Sequence, residues 1–353
     1  MKKRLLLLLM ATASLFVACR QEPDPENPNN NPGATANAYV VNEGLWGGNN
    51  AELSLLSLET GAITNNYFSA QNGRGLGDLA QDALVYGSRL YVVVSSSNTL
   101  EVIDPATGKS CRQISFGNRN PRYLAAHEGK IYVTCYDKTI ARIDTSSLTI
   151  EASCPLSGMR PEGICAYGNK LYVCNSWQYA SNGSAEYDNT LSIVDIPSFR
   201  EEKKVQIPLN PQRIMPATNG ELILNYSGNY ADVPAGLALF NTSTEAVTDL
   251  NVEATGFDVY QGNVYLYNYN WSTGATAFYR ISLTTREKAA ILENCPVHFV
   301  SVYGINVNPA NGNIMVTDSQ NYLSDGDLHC FSPSGSHLWS AETTVGPSKV
   351  VFL

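Results

Sequence analysis

The chain has 353 residues, a formal charge of -9, 20 Tyr, 4 Trp and only 4 His. An acidic chain with no basic stripe is a poor match for nucleic acid, whose binding needs clustered Lys and Arg. After the first 18 residues no run approaches the roughly 18 unbroken apolar residues of a membrane-spanning helix.

In chain order, residues 1–18 read as a secretory signal peptide: basic Lys2, Lys3 and Arg4, the apolar run Leu5 to Met10, then small and apolar residues to Ala18. Phe16-Val17-Ala18-Cys19 resembles a bacterial lipobox, with small Ala18 in register and Phe16 where Leu is usual. Lipidation of Cys19 is the expectation; ordinary cleavage beside an unrelated Cys is the alternative. Residues 19–37 form a tether of Pro, Asn and acidic residues, too polar to bury anything. Acidic residues soon after the Cys resemble the surface-export signal of lipoproteins in Bacteroides-like bacteria. That resemblance implies outer-membrane attachment facing outward, with the lipid anchor as the membrane contact.

From residue 38 onward one pattern recurs, a strand of the type L-Y-V. It stands at 38–42 (A-Y-V-V-N), 90–94, 131–135 and 171–175, with weaker copies at 221–225, 264–268 and 314–318. The steps between equivalent positions run from 40 to 52 residues. Each copy is followed by a second strand, a turn and a more polar strand. Most are preceded by a short strand opened by Pro, as at Pro121, Pro161 and Pro211. Four strands per unit of this size is a propeller blade. Seven copies predict an all-β, seven-bladed β-propeller over residues 38–353. The last motif, 346–353, lacks a following strand and the first copy lacks a preceding one. The C-terminal strand is therefore expected to complete the first blade and close the ring.

Seven cysteines follow Cys19, an odd number without C-x-x-C or zinc spacing; one or two cross-blade disulfides stay open. The histidines fall in unrelated blade positions and no hydrolase or metalloprotease motif occurs, so neither enzyme activity, a metal nor a cofactor is expected.

The pattern G-x-L-Y-V...N-T-L-x-V-I-D-x-x-T of residues 87 to 107 resembles the YncE-like seven-bladed propellers. The Cys anchor, the acidic tether and the opening Y-V-V-N-E-G (39–44) resemble, more narrowly, the BtuG lipoproteins. That resemblance implies capture of vitamin B12 (cobalamin or a related corrinoid) at the cell surface and its transfer to a TonB-dependent outer-membrane transporter.

In a four-stranded blade the loop from second to third strand shares a face with the blade-to-blade connections. On five blades this loop is long, including Cys174 to Asn189, and carries Trp46, Trp177, Tyr179, Tyr187, Tyr226, Tyr230, Tyr269, Trp271 and Tyr322. At the strand ends stand Asn42, Asn175, Asn225, Asn268 and Asp318, and the blade connections add Arg122 and Arg213. Together these form the expected ligand site, since loops on a rigid scaffold collect binding residues. For each residue the plainer account is structural: Asn ends strands by bonding local backbone, and loop aromatics pack on one another. Aromatic faces, amides and a few cations suit a corrin with its phosphate. They suit a glycan as well, and would serve equally as anchors of a protein–protein interface.

Overall fold

The computed structural model describes residues 37–353 apart from 219 and 271, so the signal peptide, Cys19, the tether and Trp271 lie outside the described residues. The strands pair into seven antiparallel sheets of four. Blade one consists of Pro347–Phe352, Asn37–Asn42, Glu52–Ser57 and Ile63–Thr64, so the C-terminal strand does close the ring. Val40 lies opposite Val350 and Tyr39 opposite Val351. Blades two to seven follow in sequence, their first strands being Ala80–Tyr86, Pro121–His127, Pro161–Tyr167, Pro211–Pro216, Gly256–Tyr260 and Val302–Val307. One short helix, Tyr67–Asn72, interrupts the connection from blade one to blade two.

The second strands are apolar without alternation because both their faces are covered. In Arg89–Val94, Leu90, Val92 and Val94 pack toward blade one, while Tyr91 and Val93 pack toward blade three. The core is thus seven separate clusters, one in each interface between neighbouring blades. The recurring tyrosine is part of this packing: Tyr39 is fully buried, and its hydroxyl donates across the interface to the Pro105 carbonyl at 3.0 Å. The seven described cysteines are free thiols; burial pushes those of Cys135 and Cys330 up to about 12.

The pairing also fixes the faces. Pro121 opposes Cys135, and Cys135 opposes Thr139, so the start of a first strand and the turn between second and third strands share one end of the blade. This end is called the upper face below. The turns between first and second strands lie on the lower face.

Candidate functional site

The most prominent feature of the upper face belongs to blade four. Cys174 to Asn189 is not a loop. Its second and third strands, Lys170–Tyr179 and Ala185–Asp195, run on together as a β-hairpin arm in which Trp177 opposes Tyr187 and Tyr179 opposes Ala185. The arm is closed by a turn through Gly183, at φ +82°. Asn-Gly between alternating residues is a strong hairpin signal, and Asn182-Gly183 carries it in plain sight. Residues two apart on a strand and directly opposite across it share a face, so Trp177, Tyr179 and Tyr187 form one aromatic surface. Trp177 and Tyr179 meet edge-on, centroids 4.8 Å apart, and Tyr187 reaches Tyr230 of blade five at 6.1 Å.

Arg160, from the connection between blades three and four, lies against this surface. Its guanidinium carbon is 4.7 Å from the Tyr136 ring centroid, 5.1 Å from Trp177 and 5.8 Å from Tyr179. These are cation–π distances. The guanidinium makes no hydrogen bond or ion pair to any described residue, so its N–H donors stay free for a ligand. Tyr136 comes from the short turn after the second strand of blade three, and a second guanidinium, Arg122, sits 4.6 Å from its centroid.

Nearer the axis a polar layer closes the funnel. Arg122 donates to both oxygens of Glu162, at 2.9 and 3.4 Å, and to Gln81 and Ser95; the Tyr136 hydroxyl donates to Glu162 as well. Across the axis the Tyr303 hydroxyl donates to Glu43 at 2.5 Å, and Tyr322 stands edge-on to Tyr303 at 5.7 Å. Burial raises the Glu43 carboxyl above its ordinary range, with Glu162 adding to the effect; the Tyr303 bond and Arg122 oppose it. Burial, with the charge of Glu162 adding to it, pushes the Tyr136 hydroxyl up.

The structure divides the sequence-predicted residues into three groups. Trp46, Tyr179 and Tyr230 project into solvent, 84%, 61% and 70% exposed, with Trp177 half-buried beside Tyr179. Trp46 stands on blade one, across the ring from the arm, while the turns of blades two and three are short. Tyr322 and Arg122 face the funnel. Trp177 meets Tyr179 and Tyr230 meets Tyr187, so these aromatics gather at the arm, while Trp46 stands apart from them.

A second group holds the scaffold. Asn42 is fully buried and donates to Ser54; Asn175 is fully buried and donates to Thr190 and Ser192. Asn175 also fills the space beside Gly158, where a Cβ would lie 2.1 Å from its side chain. Asp318 is fully buried and accepts the backbone N–H of Val300, Ser301 and Gln320. Asn225 accepts from the Arg213 N–H and donates to the Thr255 carbonyl, joining blades five and six. Asn268 binds Glu253, and half-buried Tyr269 packs on the core between blades six and seven. Tyr226 lies over Gly236 in the core between blades four and five, its hydroxyl on Asp249 at 2.6 Å. For the strand-end amides and Asp318 the plainer, structural account fits their geometry.

Arg213 forms the third group. It lies one residue further along its strand than the layer of Gln81, Arg122, Glu162 and Tyr303, and lines a cavity that opens on the lower face. It is the second residue after Pro211, whereas Arg122 is the first after Pro121, and the first strands carry the same bulge in both blades.

A family model described as a domain of unknown function, DUF5074, matches residues 36–340. The chain belongs to this family. No curated protein matches the sequence. Among solved structures, the chain is similar to a quinoprotein alcohol dehydrogenase-like protein from Bacteroides thetaiotaomicron, with 15% identity, TM-score 0.65, and coverage of 90% of this chain and 78% of that one. It is similar also to the Kuenenia stuttgartiensis hydrazine synthase, with 12% identity, TM-score 0.60, and coverage of 75% and 86%. At such identities the shared property is the propeller fold.

Proposed function

We propose that this DUF5074 propeller is a binding protein, not an enzyme, and that its upper face captures a large amphipathic ligand of the corrinoid class, cobalamin in the first instance. The observation that carries the proposal is the Arg160 guanidinium, seated among Tyr136, Trp177 and Tyr179 with its donors unengaged. Aromatic faces bury an apolar ring system, and a fixed guanidinium meets a phosphate. The resemblance of the opening Y-V-V-N-E-G (39–44), the Cys and the acidic tether to the BtuG lipoproteins supports the same reading.

On this reading Cys19 is lipidated, the protein sits on the outer membrane facing outward, and it delivers its ligand to a TonB-dependent transporter. Calorimetry with cobalamin and then with a panel of surface glycans tests the ligand. Heat with glycans and none with cobalamin would replace the corrinoid by a carbohydrate. Cys19→Ala tests the address: the variant is expected to leave the membrane fraction, and one that stays there labelled by fatty acid contradicts the anchor.

A further inference from the structure

The axial channel is divided. The Arg122–Glu162 and Glu43–Tyr303 pairs occupy the layer next to the upper face. One residue further along the first strands stand Asp82, Tyr123, Arg213, Asp258 and Lys349, which line the channel interior. From there a cavity of about 420 Å³ widens to the lower face, edged by the turn residues Thr218, Gln261 and Pro309. That volume lies within the ~300–1,000 Å³ of small-molecule sites.

The charges in this cavity are unequally engaged. Lys349 Nζ donates to Asp82 at 2.7 Å and to the Ala83 carbonyl at 2.8 Å. Asp258 accepts two backbone N–H groups, from Val259 at 2.9 Å and Val307 at 2.8 Å. Glu221 at the mouth is paired with Arg286 at 3.1 Å. The Arg213 guanidinium has no hydrogen bond or ion pair to any described residue; its nearest ring contact is Phe257 at 5.9 Å. Its backbone is nevertheless held, through Asn225, to blade six. A planar fork of donors, anchored by its main chain and facing a cavity with low-dielectric walls, is built for an oxyanion. Asp258 is the carboxylate in this cavity that feels the Arg213 charge, but its oxygens are already taken by the Val259 and Val307 N–H groups.

We propose that Arg213 anchors a second binding site, entered from the face opposite the arm, for a small oxyanion bearing a carboxylate or phosphate group. It is separate from the upper-face site and does not depend on it.

Titration calorimetry of the full-length chain with inorganic phosphate, and separately with succinate, tests this and tells the two sources apart. Saturable one-to-one binding of at least one probe is expected at millimolar concentration. Arg213→Gln should weaken it tenfold or more, while Arg200→Gln, at an exposed position on the outermost strand of blade four, leaves it within twofold. Because Arg213→Gln could perturb the ring, Arg213→Lys is measured beside it: it keeps the charge, loses the fork, and should also bind more weakly. No heat with either probe, or wild-type affinity in both Arg213 variants, overturns the proposal. Cobalamin binding is followed in the same variants, so failure of the upper-face reading and failure of this one are distinguishable.

Discussion

The Arg160 guanidinium carbon lies 5.1 Å from the centre of the Trp177 ring, joining the connection before blade four to the arm that blade four raises. Neither residue is held by a hydrogen bond to the other, so each can be removed without leaving a buried polar group behind. Trp177→Ala should lose a stacking contribution of roughly 1 to 3 kcal/mol, a weakening of about 5- to 150-fold in ligand affinity. Arg160→Gln should weaken a phosphate-bearing ligand and leave neutral glycans unchanged. Both variants should melt near the wild-type temperature. Full affinity in both would mean that the arm only packs.

Arg122 behaves differently, because its side chain is 16% exposed and that of its partner Glu162 only 2%. Arg122→Met strands a buried carboxylate, which costs about 3–5 kcal/mol. Adding Glu162→Gln should return much of that loss, since the stranded charge is gone. Urea denaturation of the two single variants and the double variant checks it. Strictly additive losses would show that the pair is not coupled.

The ring was legible in the sequence because second strands covered on both faces leave an unbroken apolar signature at 38–42, 90–94 and 131–135. The closing strand was legible because its motif had no strand after it. The site was less so. Whether Asn42 and Asn175 face solvent or the sheet depends on cross-strand serines, Ser54 and Ser192, 12 and 17 residues away. Tyr226 turns inward because Gly236 leaves the space for its ring. Arg213 and Arg122 part because they stand second and first after the Pro that opens their strands, a one-residue offset that decides which layer each enters. Tyr136 was hidden in a turn too short to suggest a wall. The arm, by contrast, was written at Asn182-Gly183 and in the alternation around it.

Glu43 gives the upper face a pH dependence. Its folded-state pKa is raised, burial being the main cause, above an ordinary value near 4.5. The fold therefore favours the protonated form. Stability from this group is full below about pH 4.5 and is lost as pH rises through the folded-state pKa. Asp258 is raised for the same reason and slopes the same way, so the informative quantity is the difference between wild type and Glu43→Gln. The glutamine carbonyl can still accept from Tyr303. The variant should gain on wild type as pH climbs from about 4.5 toward neutrality, read as melting temperature at each pH. Parallel curves would refute the assignment.

Ring closure gives the most severe expectation. Pro347–Phe352 pairs with Ala38 to Asn42, and it places Val351 in the core between blades one and two and Val350 in the core between blades seven and one. Lys349 of the same strand holds Asp82 of blade two, and the Asn306 side chain of blade seven accepts the Val350 N–H. Deleting 346–353 removes two buried valines, each contributing roughly 1.5–3 kcal/mol, and bares the edge of the next strand. Set against a whole-domain stability of about 5–15 kcal/mol, the loss is large enough to abolish or severely weaken cooperative unfolding. A peptide of residues 346–353 added to the truncated chain should restore part of the transition by pairing with the open edge. An unchanged melting curve in the truncated protein would mean that the other blades hold the ring without the final strand.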